Sequence, residues 1–74
     1  MQITVKLFAT FRINREKIMT LEVDDGTTPR MICERLEIPV IDVGIIMVNG
    51  RAVTLDHTLV ENDVLALFPP VGGG

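Results

Sequence analysis

"DDGTTPRMICERLEIP" (residues 24–39) reads as a short helix with both ends marked. Thr28 stands before Pro29. Threonine can cap a helix, and proline fits the first turn, where its missing N–H is not needed. Met31 occupies the place where an acidic capping partner would be expected. Ile32, Cys33 and Leu36 form an apolar stripe, while Arg30 and Glu34 stand four residues apart on the outside as an expected ion pair. Pro39 ends the pattern, so the spacing predicts a helix over residues 29–37.

The flanks of this helix are built differently. Upstream, "QITVKLF" (2–8) alternates, with Ile3, Val5 and Leu7 on one face and Gln2, Thr4 and Lys6 on the other, as a half-buried strand does. "RINRE" (12–16) is polar and reads as a turn. "KIMTLEV" (17–23) alternates again through Met19, Leu21 and Val23, so the two runs predict an antiparallel hairpin. Downstream, "VGIIMVNG" (43–50) is almost continuously apolar and predicts a central strand. Asn49-Gly50 is a tight-turn signal. A short strand is expected over 52–54, a loop with at most one helical turn over 55–63, and a last strand in "DVLALF" (63–68).

The order is therefore strand, strand, helix, strand, short strand, strand. It predicts an α+β domain over residues 1–68, a mixed sheet of four to five strands covered by one main helix. That order and spacing match the β-grasp, or ubiquitin-like, fold. A ferredoxin-like sheet would need a second long helix, and "TLVEND" (58–63) is too short for one.

Composition narrows the function. The chain has 74 residues, enough for one small domain, and 47% are apolar. Lacking Trp and Tyr, it must pack its core from Ile, Val, Leu, Met and three Phe. The net charge of −3 and the absence of a Lys/Arg cluster argue against nucleic acid as a partner. The single cysteine, Cys33, excludes an internal disulfide and a cysteine-based zinc site. No secretory signal and no membrane-spanning run is apparent, and a cytoplasmic, reducing setting is expected.

The end of the chain, "LFPPVGGG" (67–74), continues no core pattern. Pro69 and Pro70 cannot donate to a sheet and fix φ near −65°, so the strand stops there. Residues 69–74 are expected to be an extended, flexible tail reaching roughly 20 Å. Glycines pass channels that no other residue fits, and the reactive group is the carboxylate of Gly74. Activated as a mixed anhydride with AMP, it can be taken by sulfur, giving a thiocarboxylate, or by an amine, giving an amide. Glycine-rich ends also occur as ordinary loose termini.

These features resemble the MoaD/ThiS-like sulfur carriers over nearly the whole chain. "LFATFR" (7–12) is similar to the first strand and turn of the molybdopterin synthase small subunit. "VNG" (48–50) with Val53 and Asp56 resembles its central turn, and "END" (61–63) stands where the family has an Asp-Gly-Asp turn. "FPPVGGG" (68–74) resembles its "FPPV-x-GG" ending. The resemblance implies that Gly74 is adenylated by an E1-like enzyme, which consumes ATP, and becomes a thiocarboxylate. Gly73 is then the required small neighbour. The tail, with Pro69, Pro70, Val71 and Gly72, would insert into a molybdopterin synthase large subunit or another sulfur-accepting enzyme. No bound cofactor and no metal is implied. Gly72 stands where a small non-glycine residue is expected, and the segment between Leu36 and Ile45 is short, closer to the thiamine-pathway carrier. The tail thus points to a molybdenum or tungsten pterin pathway. The middle points to a generic carrier, with thiamine thiazole, tRNA thiolation and conjugation to protein lysines as alternatives.

Elsewhere the residues read as structural. Cys33 lies on the buried stripe of the helix and His57 in a polar loop, where exposure is expected. Asp24, Asp25, Glu61 and Asp63 are turn residues, and no acid/base pair emerges. Phe8 and Phe68 are the exceptions. Each is out of phase with the core residues of its strand. Both are expected on the sheet face opposite the helix, beside Ala66, as anchors for a partner.

Overall fold

A computed structural model describes residues 1–70, and within it the alternation of the sequence becomes register. β1 (Gln2–Leu7) runs antiparallel to β2 (Ile18–Glu22), so that Ile3 faces Leu21 and Val5 faces Met19. β5 (Val64–Phe68) lies parallel to β1, with Val5 beside Leu65 and Leu7 beside Leu67. β3 (Ile45–Val48) pairs antiparallel with β5 and with the two-residue β4 (Arg51–Ala52). Between β3 and β4, Asn49 and Gly50 take φ of +51° and +83°, the double left-handed turn that Asn-Gly favours.

The sheet order β2-β1-β5-β3-β4 and the single α-helix make a β-grasp domain of mixed strands. It corrects the expected position of residues 43–50. The middle strand is β5, and β3 lies one place from the edge. The run is apolar on both parities for another reason. Ile46 and Val48 face the core, whereas Ile45 and Met47 lie beside Phe68 and Ala66 on the open face. β4 also begins one residue earlier than expected, and residues 55–63 form turns without a helix.

α1 (Pro29–Arg35) covers the other face. The Thr28 hydroxyl accepts from the Met31 N–H at 3.4 Å, and Pro29 fills the first turn. The helix ends two residues before residue 37, because Glu37 adopts φ +59° and the Ile38 N–H turns back to the Cys33 carbonyl at 2.9 Å. Arg15 donates to the carbonyls of Leu36 and Glu37, satisfying groups that the helix end leaves open. The Arg30–Glu34 pair does not form. Arg30 instead meets Asp56 with two hydrogen bonds of 3.0 Å, a fork geometry that one carboxylate on a facing loop can complete.

Between helix and sheet lie Ile3, Val5, Leu7, Leu65 and Leu67, all nearly inaccessible, against Ile32, Cys33, Ile38 and Leu59. Burying each such aliphatic side chain contributes about 1.5–3 kcal/mol. Phe11 joins them from a one-turn 3-10 helix, Ala9–Arg12, that the polar reading of the following turn did not foresee. Ala9 takes φ +53° directly after the extended Phe8, and this reversal sends Phe11 inward while Phe8 stays outside. Among the described residues, no helix is long and apolar enough to cross a membrane.

Candidate functional site

Phase decides what the open face carries. With Leu65 and Leu67 pointed into the core, Val64, Ala66 and Phe68 must point away from it. The parallel register of β1 and β5 then brings Phe8 alongside Phe68. The rings stack with centroids 4.3 Å apart and 12° between their planes. Arg12 lies over the other side of Phe8, its guanidinium carbon 5.1 Å from the ring centre. Its Nε donates to the Leu7 carbonyl at 2.7 Å, which holds the cation in place. Ile45 stands opposite Phe68 and Met47 opposite Ala66, extending the apolar surface, and Ile18 faces Lys6 farther along. Ile45 is 39% exposed and Ile18 55%, which is unusual for isoleucines in a sheet.

The tail begins at the edge of this patch. Pro69 is half-buried and Pro70 exposed. The Gly44 N–H donates to the Phe68 carbonyl at 2.8 Å, the last bond before the prolines. Sequence reasoning did not single out Gly44. The available signal was a glycine at the start of a strand, where a second backbone often approaches closely. Of the predicted site residues, Phe8, Phe68, Pro69 and Pro70 are thus brought together at one end of the sheet. Val71, Gly72, Gly73 and Gly74, and with them the expected mobility of the tail, lie outside the described residues.

The remaining candidates stand apart from this end. Cys33 is buried in the core, where burial pushes its thiol pKa up and nearby Arg30 opposes the rise. His57 is half-buried rather than exposed, in a shallow groove with Val53, Thr58 and Val60. Asp63 is buried as well, at 5% exposure, and is more than a surface turn residue. Among the described residues, no three His, Cys, Asp or Glu side chains are grouped to hold a metal.

The ThiS family model matches residues 5–74, which takes in the second half of β1, the other four strands, the helix and the tail. The chain belongs to the ThiS family. No curated protein matches this ThiS-family chain significantly, but solved structures do. It is similar to a Pyrococcus furiosus protein assigned as molybdopterin converting factor subunit 1, with 30% identity over 95% of this chain and 98% of that one and a TM-score of 0.75. SAMP1 of Haloferax volcanii is 26% identical over the full length of both chains, also with a TM-score of 0.75. Subunit 1 of the Helicobacter pylori molybdopterin-converting factor, solved in complex with subunit 2, is 26% identical over both full lengths, with a TM-score of 0.70. This ThiS-family protein is accordingly a MoaD/ThiS-like sulfur carrier or a ubiquitin-like modifier, a carrier rather than a catalyst.

Proposed function

We propose that this protein carries sulfur as a thiocarboxylate on Gly74 and donates it in molybdopterin biosynthesis. An E1-like enzyme joins the Gly74 carboxylate to AMP at the expense of ATP, releasing pyrophosphate. A sulfide equivalent displaces AMP and leaves the thiocarboxylate. Its sulfur attacks an electrophilic carbon of the acceptor, and the carbon–oxygen bond at that carbon breaks, its electron pair leaving on oxygen, which takes a proton. Hydrolysis of the acyl–sulfur bond then leaves sulfur on the acceptor and returns the carboxylate.

One observation carries this reading. The half-buried Phe8–Phe68 stack on the open face, rimmed by Arg12 and Ile45, sits at the root of the diproline. A partner that takes in the tail must grip the body where the tail leaves it, and large aromatics are the side chains that most often anchor such grips. The likeness to a subunit 1 solved with its subunit 2 supports a larger synthase subunit as that partner. Gly73 and Gly72 give the tail its narrow cross-section, and Pro69, Pro70 and Val71 line the neck of the complex. The same face serves the E1-like enzyme in turn.

The likeness to SAMP1 favours a second reading, in which a protein lysine takes the activated glycine as an amide. One experiment addresses both. The protein is incubated with ATP, an E1-like enzyme and a sulfur source, and its intact mass is recorded. The proposal expects the mass gain of one oxygen-to-sulfur exchange. A variant with one residue added after Gly74 should show none. Exchange in the extended variant would sink the assignment to Gly74, and amide-linked adducts without exchange would favour the modifier.

A further inference from the structure

Of the three described glycines, Gly26 and Gly50 have φ of +86° and +83° and open space around them, as turn glycines do. Gly44 is different. A Cβ placed on it would lie 2.5 Å from the Pro70 Cα, 2.7 Å from the Pro70 nitrogen and 2.9 Å from the Pro69 carbonyl carbon. All three are backbone atoms, so no rotamer change could relieve the clash. Its N–H also donates to the Phe68 carbonyl at 2.8 Å, which holds Gly44 and the root of the tail in the same ladder.

We propose that Gly44 is a positioning residue that aims the tail into the partner enzyme's active site, beginning with adenylation of the Gly74 carboxylate. Its bare Cα is the seat on which the Pro69-Pro70 backbone rests, and that seat fixes the direction in which the chain leaves the sheet. The inference rests on the sulfur-carrier reading above and adds a residue outside the tail to it. Docking fixes the body, and therefore fixes where the partner's channel opens relative to β5. A methyl group at residue 44 must push the diproline off its seat. The proline rings hold φ and do not absorb the shift locally. A displaced root must bend back to the channel, which shortens the reach of the residues beyond it. Misplacement of a reacting group by about 1 Å can cost about 100-fold in rate.

The test uses Gly44→Ala beside Gly50→Ala in the full chain. Gly50→Ala introduces backbone strain at φ +83° but meets no atom within 4 Å, so it controls for lost stability alone. Single-turnover adenylation by the E1-like enzyme yields both the Kd and the maximal rate. Gly44→Ala should lower the maximal rate about 10- to 100-fold with Kd unchanged. Gly50→Ala should alter neither. Should Gly44→Ala prove less stable, its rate and Kd are read at a temperature where its sheet contacts remain intact, and the same split between rate and Kd is expected there. Nuclear Overhauser contacts between the α protons of Gly44 and Pro70 should be present in the wild type and lost in Gly44→Ala, with the sheet contacts kept. A wild-type rate in Gly44→Ala overturns the proposal. So does an equal loss in Gly50→Ala, or a rise in Kd that accounts for the whole effect. A wild-type protein that forms no adenylate is a separate outcome, which removes the carrier reading and the positioning role together.

Discussion

Asn49 donates from Nδ2 to Oδ1 of Asp63 at 2.9 Å, tying the β3–β4 turn to the start of β5. The second oxygen of Asp63 accepts from the Val60 N–H at 2.8 Å, and Asn49 Oδ1 accepts from the Val64 N–H at 2.9 Å. Asp63→Ala would leave two donors without a partner at a site only 5% exposed. It should cost about 2–3 kcal/mol, a fall in Tm of roughly 10 °C or more for a domain of this size. Glu61, two residues earlier, accepts from the Gln2 N–H at an exposed position, and Glu61→Ala should cost about 1 kcal/mol or less. Thermal unfolding of both variants checks the contrast, and equal losses would count against it.

Two phenylalanines should respond to truncation in opposite ways. Phe68→Ala should raise the Kd for the activating enzyme or the larger subunit about 30-fold, the equivalent of about 2 kcal/mol. Its stability cost should be about 1–2 kcal/mol, since it loses a stacked ring on an open face. Phe11→Ala should cost about 3–5 kcal/mol of stability, because Phe11 is buried in the core. Calorimetric titration and thermal unfolding separate the two, and a Phe68→Ala variant that binds normally would remove the anchor.

Cys33 should be chemically silent in the folded protein. Its thiol is inaccessible, and burial raises its pKa, so little thiolate forms at neutral pH. Alkylation by iodoacetamide should be slow in buffer and become fast in denaturant. Rapid labelling of the native protein would show that the core opens far more readily than its packing implies.

The Arg30–Asp56 pair sets a pH dependence of known sign. The hydrogen bond from Arg30 holds the Asp56 carboxyl below its usual pKa, opposed by desolvation and aided to a lesser degree by the charge of Arg30. Its stabilisation is thus present above the unfolded-state pKa of about 3.9 and fades as pH falls through the lower folded value. Wild type and Asp56→Asn should differ slightly in denaturation midpoint at pH 7, because both groups are exposed. Below about pH 4 the gap should narrow and then close. A gap that widens in acid would contradict the pairing.

Much of this molecule was legible from parity alone. Ile3, Val5 and Leu7 face the core, and Phe8 and Phe68 face away, as the alternation required. What parity could not supply was neighbourhood. Arg30 had a sequence partner in Glu34 and a spatial one in Asp56, and only the fold brings the second into reach. The apolar run of residues 43–50 predicted a central strand, yet β3 lies one place from the edge. Ile45 and Met47 are apolar because a surface is kept there. Phe11 was hidden behind a polar turn, since a reversal at Ala9 leaves no periodic trace. Gly44 could be read as a close approach only once Pro70 was known to lie above it.

The parallel pairing of β1 with β5 bears on when the protein can work. Thr4 pairs with Val64 and Leu7 with Leu67, so the middle of the sheet joins its first strand in chain order to its last. No stable sheet can form around an empty centre, and closing so long a loop makes folding wait on β5. Phe8 therefore gains its stacked partner only after β5 has left the ribosome. A chain cut short before residue 68 presents no assembled grip. Recognition is thereby tied to a closed sheet, since the Phe8–Phe68 surface exists only where β5 is seated beside β1.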